Sequence, residues 1–260
     1  PDSKQMFRDF REDHGILRTT KTVIQYALRE EQQSAVTMTV NYQASHQNGE
    51  FLWNAKPRFG KTLSVYDFVK QIGAEKVLIV TNRPAIANSW FSDYERFLGS
   101  ESGYLFVSEV DALKGRRGVF TREEYTKSLV KEDHKCIEFV SLQDMKGSIL
   151  FGGQYNKLGE VANMEWDILV IDEAHEGVDT YKTDVAFDRI RRKFTLHLSG
   201  TPFKALANKK FADDAIYNWT YADEQKKKRD WDSSSEEENP YATLPRLNLY
   251  TYQMSEIIKE

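Results

Sequence analysis

Short apolar runs recur along the chain, separated by longer polar stretches. The runs are Phe51-Leu52-Trp53, Val77-Leu78-Ile79-Val80, Tyr104-Leu105-Phe106-Val107, Cys136-Ile137-Glu138-Phe139-Val140, Ile168-Leu169-Val170-Ile171 and Phe194-Thr195-Leu196-His197-Leu198. Each has strand length, and near-continuous apolar character is what a strand buried on both faces shows. Helix-like segments intervene, at 23–41 with Ile24, Leu28, Ala35, Val36 and Val40 on the core side, and at 63–72. Strand–helix alternation of this kind predicts an α/β fold with a mostly parallel sheet and helices on both faces. Ligands of such sheets sit outside the carboxyl ends of the strands. The polar residues of interest fall there: Ala55 onward, Thr81, Ser141, Asp172 and Ser199.

The punctuation gives the domain layout. Residues 1–22 are polar and charged and read as a lead-in or the tail of an upstream domain. Residues 23–222 are expected to form one α/β domain. Residues 147–159 are glycine-rich and read as a loop. Residues 223–245 join a basic run, Lys226 to Arg229, to an acidic one, Glu236 to Glu238, and read as a charged linker or insertion. A strand pattern at 247–252 marks 246–260 as the start of a following domain. The chain is expected to be a piece of a longer protein.

Composition narrows the chemistry. The 260 residues are 40% hydrophobic and 13% aromatic, enough for a substantial core, and the net charge of -4 excludes a global basic field. Nucleic-acid contact would therefore rest on a local patch. Trp90 and Phe91, at helical spacing with Phe97, read as core rather than base-stacking residues. Cys136 is the only cysteine, so no intrachain disulfide forms; it reads as a small core residue. No apolar run approaches the roughly 20 residues of a membrane span, and the expected location is cytoplasmic.

The chemistry concentrates in two segments. Ala55-Lys56-Pro57-Arg58-Phe59-Gly60-Lys61-Thr62 follows the first strand and opens a helix. It fits the phosphate-loop template G-x-x-x-x-G-K-[ST], with Ala55 in place of the first glycine. Gly60 admits a close backbone approach, Lys61 reaches outer phosphates, and the Thr62 hydroxyl can ligate magnesium. Arg58 either meets a phosphate or faces solvent. The second segment, Asp172-Glu173-Ala174-His175, ends the strand at 168–171. Two acids there are costly without work to do. Asp172 is the candidate magnesium holder and Glu173 the candidate base or water-orienting group. A helix cap with a first-turn acid is the plainer explanation of Asp-Glu, but it leaves the phosphate loop unaccounted for. His175 reads as a polar core residue or a coupling contact.

These segments together resemble the superfamily 2 helicases and translocases of DEAH-box type. Ala-x-x-x-x-Gly-Lys-Thr is similar to motif I, Asp172-Glu173-Ala174-His175 to motif II, and Ser199-Gly200-Thr201-Pro202 to motif III. Leu28-Arg29-Glu30-Glu31-Gln32 resembles the Q-motif, with Gln32 in the adenine-reading position. Thr81-Asn82-Arg83-Pro84 sits where motif Ia sits, and Ser141-Leu142-Gln143 where a further nucleic-acid contact sits. The surroundings of motif I look most like the ATPase subunits of type III and type I restriction enzymes. The resemblance implies a RecA-like domain, ATP with Mg2+ as cofactor, and hydrolysis stimulated by nucleic acid. It implies Lys61 and Thr62 on phosphate and metal, Asp172 on metal, and Glu173 on water. His175, Ser199 and Thr201 would couple hydrolysis to movement, and Asn82, Arg83, Ser141 and Gln143 would meet the strand. The implied partners are DNA, through backbone contacts, a second RecA-like domain in the full-length chain, and modification or specificity subunits. An RNA helicase and a non-motor ATP-binding regulatory module stay open as alternatives. Without the second domain's arginine finger, the isolated piece should hydrolyse ATP slowly.

Overall fold

The computed structural model describes residues 27–99, 102–129, 134–172, 186–200, 211–231, 239–242 and 244. All six apolar runs are strands: β1 (Glu50–Ala55), β2 (Lys76–Thr81), β3 (Tyr104–Ser108), β5 (Lys135–Ser141), β7 (Ile168–Asp172) and β9 (Thr195–Ser199). Two further strands complete one eight-stranded sheet, β4 (Val119–Phe120) and β10 (Ile216–Trp219). Its order is β10-β1-β9-β7-β2-β5-β3-β4. Every neighbouring pair is parallel. A separate two-stranded ladder joins β6 (Glu165–Trp166) to β8 (Arg191–Arg192).

Alternation along the central strands divides the core between the two faces. Val77 and Ile79 of β2, with Ile168 and Val170 of β7, pack under α1 (Glu30–Ser45), α2 (Lys61–Gln71) and α3 (Ala87–Phe97). Leu78 and Val80, with Leu169 and Ile171, pack on the other face. There they meet Tyr125 of α4 (Arg122–Leu129), Met145 of α5 (Leu142–Gly147) and Val161 of α6 (Gly159–Asn163). Cys136 is buried in this second cluster, where burial raises its thiol pKa well above the ordinary value. Trp90 and Phe91 lie in the first cluster, as expected of core residues.

Two elements differ from the sequence expectation, and a third, the glycine-rich loop, is found as expected. In the stretch expected to be helical over 23–41, residues 27–29 are not helical and the described helix begins at Glu30; Arg29 is extended, and its N–H donates to the Gln32 side chain at 2.8 Å. Ile24 lies outside the described residues, while Ala35 and Val36 are fully buried as expected. The stretch read as a linker from 223 contains most of a helix, α7 (Tyr221–Asp230). Thr220 caps it, accepting from the Asp223 N–H while the Asp223 side chain reaches back to the Thr220 N–H. This reciprocal box starts a helix that the charge run conceals. Finally, residues 148–158 form a compact loop: Gly153 N–H donates to Ser148 O at 2.7 Å and Tyr155 N–H to Gly147 O at 2.9 Å.

Candidate nucleotide site

Sheet register gathers the candidate residues at one edge. Thr81 stands level with both Ser141 and Asp172, Asp172 with Leu198, and Asn54 with Ser199. Parallel strands in register end together, so the carboxyl ends of β1, β2, β5, β7 and β9 share one rim.

The loop after β1 is built by contacts to distant segments. Lys56 N–H donates to Trp219 O of β10 at 3.1 Å. Its ammonium sits on both carboxylate oxygens of Glu224, at 2.5 and 2.6 Å. The backbone N–H and the ammonium of Lys56 are thus committed to the β10–α7 segment, while its carbonyl accepts from the Phe59 N–H at 3.2 Å. Phe59 is a core side chain with no exposed surface, tilted against Tyr217. Its carbonyl accepts from the Gln32 side-chain amide and from Arg29 Nη2, each at 2.7 Å. Gln32 therefore supports the loop while standing at the position expected to read adenine.

Gly60 is required twice over. Its φ of +90° lies in the left-handed region. A Cβ there would also meet the Gln32 amide nitrogen at 2.2 Å. Arg58, exposed at the loop tip beside Pro57, also has a positive φ, +67°. A non-glycine residue in this conformation is uncommon and is held there by its surroundings. Lys61 and Thr62 form the first turn of α2, and Lys61 Nζ folds back onto Ala55 O at 2.9 Å. The loop thus presents a helix N-terminus and a lysine arching across its mouth, which suits a polyphosphate.

Asp172 ends β7 with 6% of its surface exposed. The indole N–H of Trp90 donates to its Oδ2 at 3.1 Å. Its spacing along the chain marks Trp90 only as packing; the contact with the acid is set by tertiary structure and has no local signal. Among the described residues no group of three or more His, Cys, Asp and Glu side chains could hold a metal. One carboxylate and one hydroxyl are, however, a sufficient protein contribution for magnesium, which keeps several waters and takes phosphate oxygens. Asp172 and Thr62 fit that requirement chemically. Glu173, His175 and Thr201 lie outside the described residues, so their expected roles have no geometry here. Ser199 is buried at the end of β9.

The expected nucleic-acid residues fall into two groups. Gln143 Nε2 donates to Asn82 O at 3.2 Å, so these two residues meet on the surface, and Arg83 beside them is exposed. Ser141 is different. It is 4% exposed and caps α5, accepting from Asp144 N–H at 3.0 Å and donating to Asp144 Oδ2 at 2.7 Å. Its hydroxyl is spent on the helix start. Burial pushes the Asp144 carboxyl up, but hydrogen bonds from Lys157 and Ser141 outweigh it and hold the group below its ordinary value.

Residues 25–204 match the family described as Type III restriction enzyme, res subunit. The chain belongs to this family. It is also 26% identical, over 279 aligned residues, to the putative type II restriction enzyme and methyltransferase RM.MpnORF110P C-terminus of Mycoplasma pneumoniae. That alignment takes in 89% of this chain and 36% of the relative, so the chain spans about a third of the relative's length. Among solved structures it is similar to a nuclease-deletion mutant of the Type ISP restriction-modification enzyme LlaGI in complex with a DNA substrate mimic. The TM-score is 0.56 at 12% identity, covering 76% of this chain and 18% of that one. It is also similar to the Sulfolobus solfataricus SWI2/SNF2 ATPase core in complex with dsDNA, with a TM-score of 0.48 at 18% identity over 74% of this chain and 34% of that one. The likeness to LlaGI establishes the RecA-like α/β fold of this member of the res-subunit family. Among the described residues no helix is long and apolar enough to cross a membrane.

Proposed function

We propose that this chain is the first motor domain of an ATP-dependent DNA helicase or translocase belonging to a restriction system. The observation that carries the reading is the shared rim. A loop with a glycine at φ +90°, opening a helix through Lys61 and Thr62, lies in the same sheet and at the same end as the buried carboxylate of Asp172. Lys61 would leave the Ala55 carbonyl for the outer phosphates, and Thr62 and Asp172 would hold magnesium. The metal, when bound, neutralises charge on the β- and γ-phosphate oxygens. Glu173 would orient the attacking water, Gln32 would read the adenine, and His175, Ser199 and Thr201 would relay hydrolysis to movement. Asn82, Arg83 and Gln143 would contact DNA backbone with little sequence preference. A second RecA-like domain of the full-length protein would complete the site, modification or specificity subunits would assemble with it, and the protein would act in the cytoplasm.

The test is ATP turnover by the full-length protein with double-stranded DNA, single-stranded DNA and RNA as competing stimulators. Double-stranded DNA should stimulate most, and Lys61→Ala should abolish the stimulation. Unchanged turnover in that variant would sink the motor reading. Glu173→Gln should keep ATP binding and lose hydrolysis. The 260-residue piece alone should turn over far more slowly than the whole protein.

A further inference from the structure

Trp90 occupies a singular place in the domain. It is 1% exposed, at the end of the first turn of α3. Its indole N–H reaches Asp172 Oδ2 at 3.1 Å. Its backbone carbonyl accepts the Tyr66 hydroxyl at 2.8 Å, and the two rings meet edge to face, 5.7 Å apart at 89°. Tyr66 belongs to α2, the helix whose first turn carries Lys61 and Thr62. The helix bearing Trp90 follows the short turn Pro84–Ile86, which leads directly from Asn82 and Arg83.

A buried indole N–H needs an acceptor, and a carbonyl would suffice. Here the acceptor is the carboxylate at the end of β7. A carboxylate that accepts a hydrogen bond from a rigid, fully packed ring is held in one rotamer, so its lone pairs are aimed before any ligand arrives. Partners of this kind orient metal ligands, and losing one lowers metal affinity or activity by about 10–100-fold. The same ring is fastened to the phosphate-loop helix through Tyr66 and continues the element that leaves the nucleic-acid edge.

We propose that Trp90 is a positioning residue for the metal-holding carboxylate: its indole N–H fixes Asp172 and ties it to the phosphate-loop helix. The proposal rests on the assignment of Asp172 to magnesium.

The experiment is a titration of Mg2+ against a fluorescent ATP analogue bound to the full-length protein. It compares the natural residue, Trp90→Phe, benzothienylalanine placed at position 90, and Asp172→Asn. Benzothienylalanine keeps both rings and removes only the N–H donor, so it reports even where Trp90→Phe fails to fold. The expected result is unchanged analogue affinity in EDTA and an Mg2+ half-saturation raised about tenfold with the donor gone. Tyr66→Phe, which frees the Trp90 carbonyl but keeps its ring, should shift the half-saturation the same way by a smaller factor. Equal loss of analogue affinity with and without Mg2+ would make Trp90 a packing residue and overturn the proposal. So would an unchanged half-saturation in a protein where Asp172→Asn does shift it. If Asp172→Asn itself leaves the Mg2+ dependence alone, the assignment of Asp172 fails, and the proposal with it.

Discussion

Lys56→Met should destabilise the domain by about 3 kcal/mol, the lower end of the range for a buried ion pair that loses one partner. The magnitude follows from burial. Glu224 is 1% exposed and Lys56 15%, and one ammonium bridges both carboxylate oxygens at 2.5 and 2.6 Å. Removing Lys56 strands a carboxylate with almost no access to water. The lower end applies because the Lys56 side faces partly outward, so water can enter behind the shorter residue. The Tyr221 ring, 5.7 Å from the ammonium, contributes a further half kilocalorie or so.

A second substitution makes the argument sharp. If the loss comes from the stranded charge, Lys56→Met with Glu224→Met should recover most of it, because a buried pair replaced by apolar residues of similar size is often neutral. Urea denaturation of the single and double variants measures both quantities. The expected coupling is about 2 kcal/mol, well above the few tenths seen for independent sites. A single-variant loss under 1 kcal/mol, or a double variant no better than the single, would refute the reasoning. The first outcome would mean that solvent already screens the pair; the second, that the loss does not come from the carboxylate left without its partner.

Other positions give independent checks. Gly60→Ala must displace the Gln32 amide, since its Cβ would lie 2.2 Å away at a φ of +90°; nucleotide affinity should fall at least tenfold, read by fluorescent-analogue binding. Gly153→Ala would place a Cβ 2.3 Å from the Gly147 and Lys146 backbone. Because backbone cannot step aside, the 148–158 loop should open, with a cost of about 2 kcal/mol or more and faster amide exchange at Tyr155. Glu138 supplies a pH signature. Burial pushes its carboxyl up to about 7, Arg122 opposes, and Glu160 and Glu109 add to the rise. Its folded pKa exceeds the unfolded one, so the stability it contributes is full below about pH 4.5 and is lost as pH rises to about 7. Between those limits the domain should lose on the order of 2 kcal/mol by urea denaturation, and Glu138→Gln should flatten that slope. An unchanged slope would assign the pH dependence elsewhere.

What could be read from the sequence was whatever is written locally. Six apolar runs became six strands because a strand buried on both faces admits few polar residues, and the pattern therefore carries its own evidence. The strand–loop–helix unit around Gly60, Lys61 and Thr62 was legible for the same reason: the three residues are adjacent, and the strand before and the helix after them are readable. β10 has no such signal because Ile216-Tyr217-Asn218-Trp219 is an edge strand of only four residues, interrupted by Asn218, whose identity comes from pairing with β1. α7 escaped because its sequence is a charge run with one buried acid. Glu224 looks like its neighbours until Lys56, 168 positions away, is set beside it. Trp90 was correctly placed in the core, but its acceptor is 82 positions distant. Ser141 was expected to meet nucleic acid, and only the position of Asp144 on the following turn shows that its hydroxyl caps a helix.

The distant contacts share a direction, and this bears on how such a domain works. Four groups on the β10–α7 side and its continuation reach across to the two segments proposed to frame the nucleotide. Glu224 holds Lys56. Tyr217 hydroxyl donates to Glu31 O at 2.8 Å, Tyr241 hydroxyl to Glu31 Oε2 at 2.7 Å, and Lys227 pairs with Glu30 at 2.5 Å. Glu30 and Glu31 are the first two residues of α1, next to Gln32, whose amide in turn holds the carbonyl of Phe59. The β10–α7 segment and its continuation are therefore bonded to both segments expected to frame a nucleotide, on the adenine side and on the phosphate side. Any shift of α7 relative to β1 must either break the buried Lys56–Glu224 pair or carry the loop with it. Breaking it is the costly alternative, so movement on either side is expected to be shared. This mechanical link is one that neither the phosphate-loop motif nor the acidic motif contains.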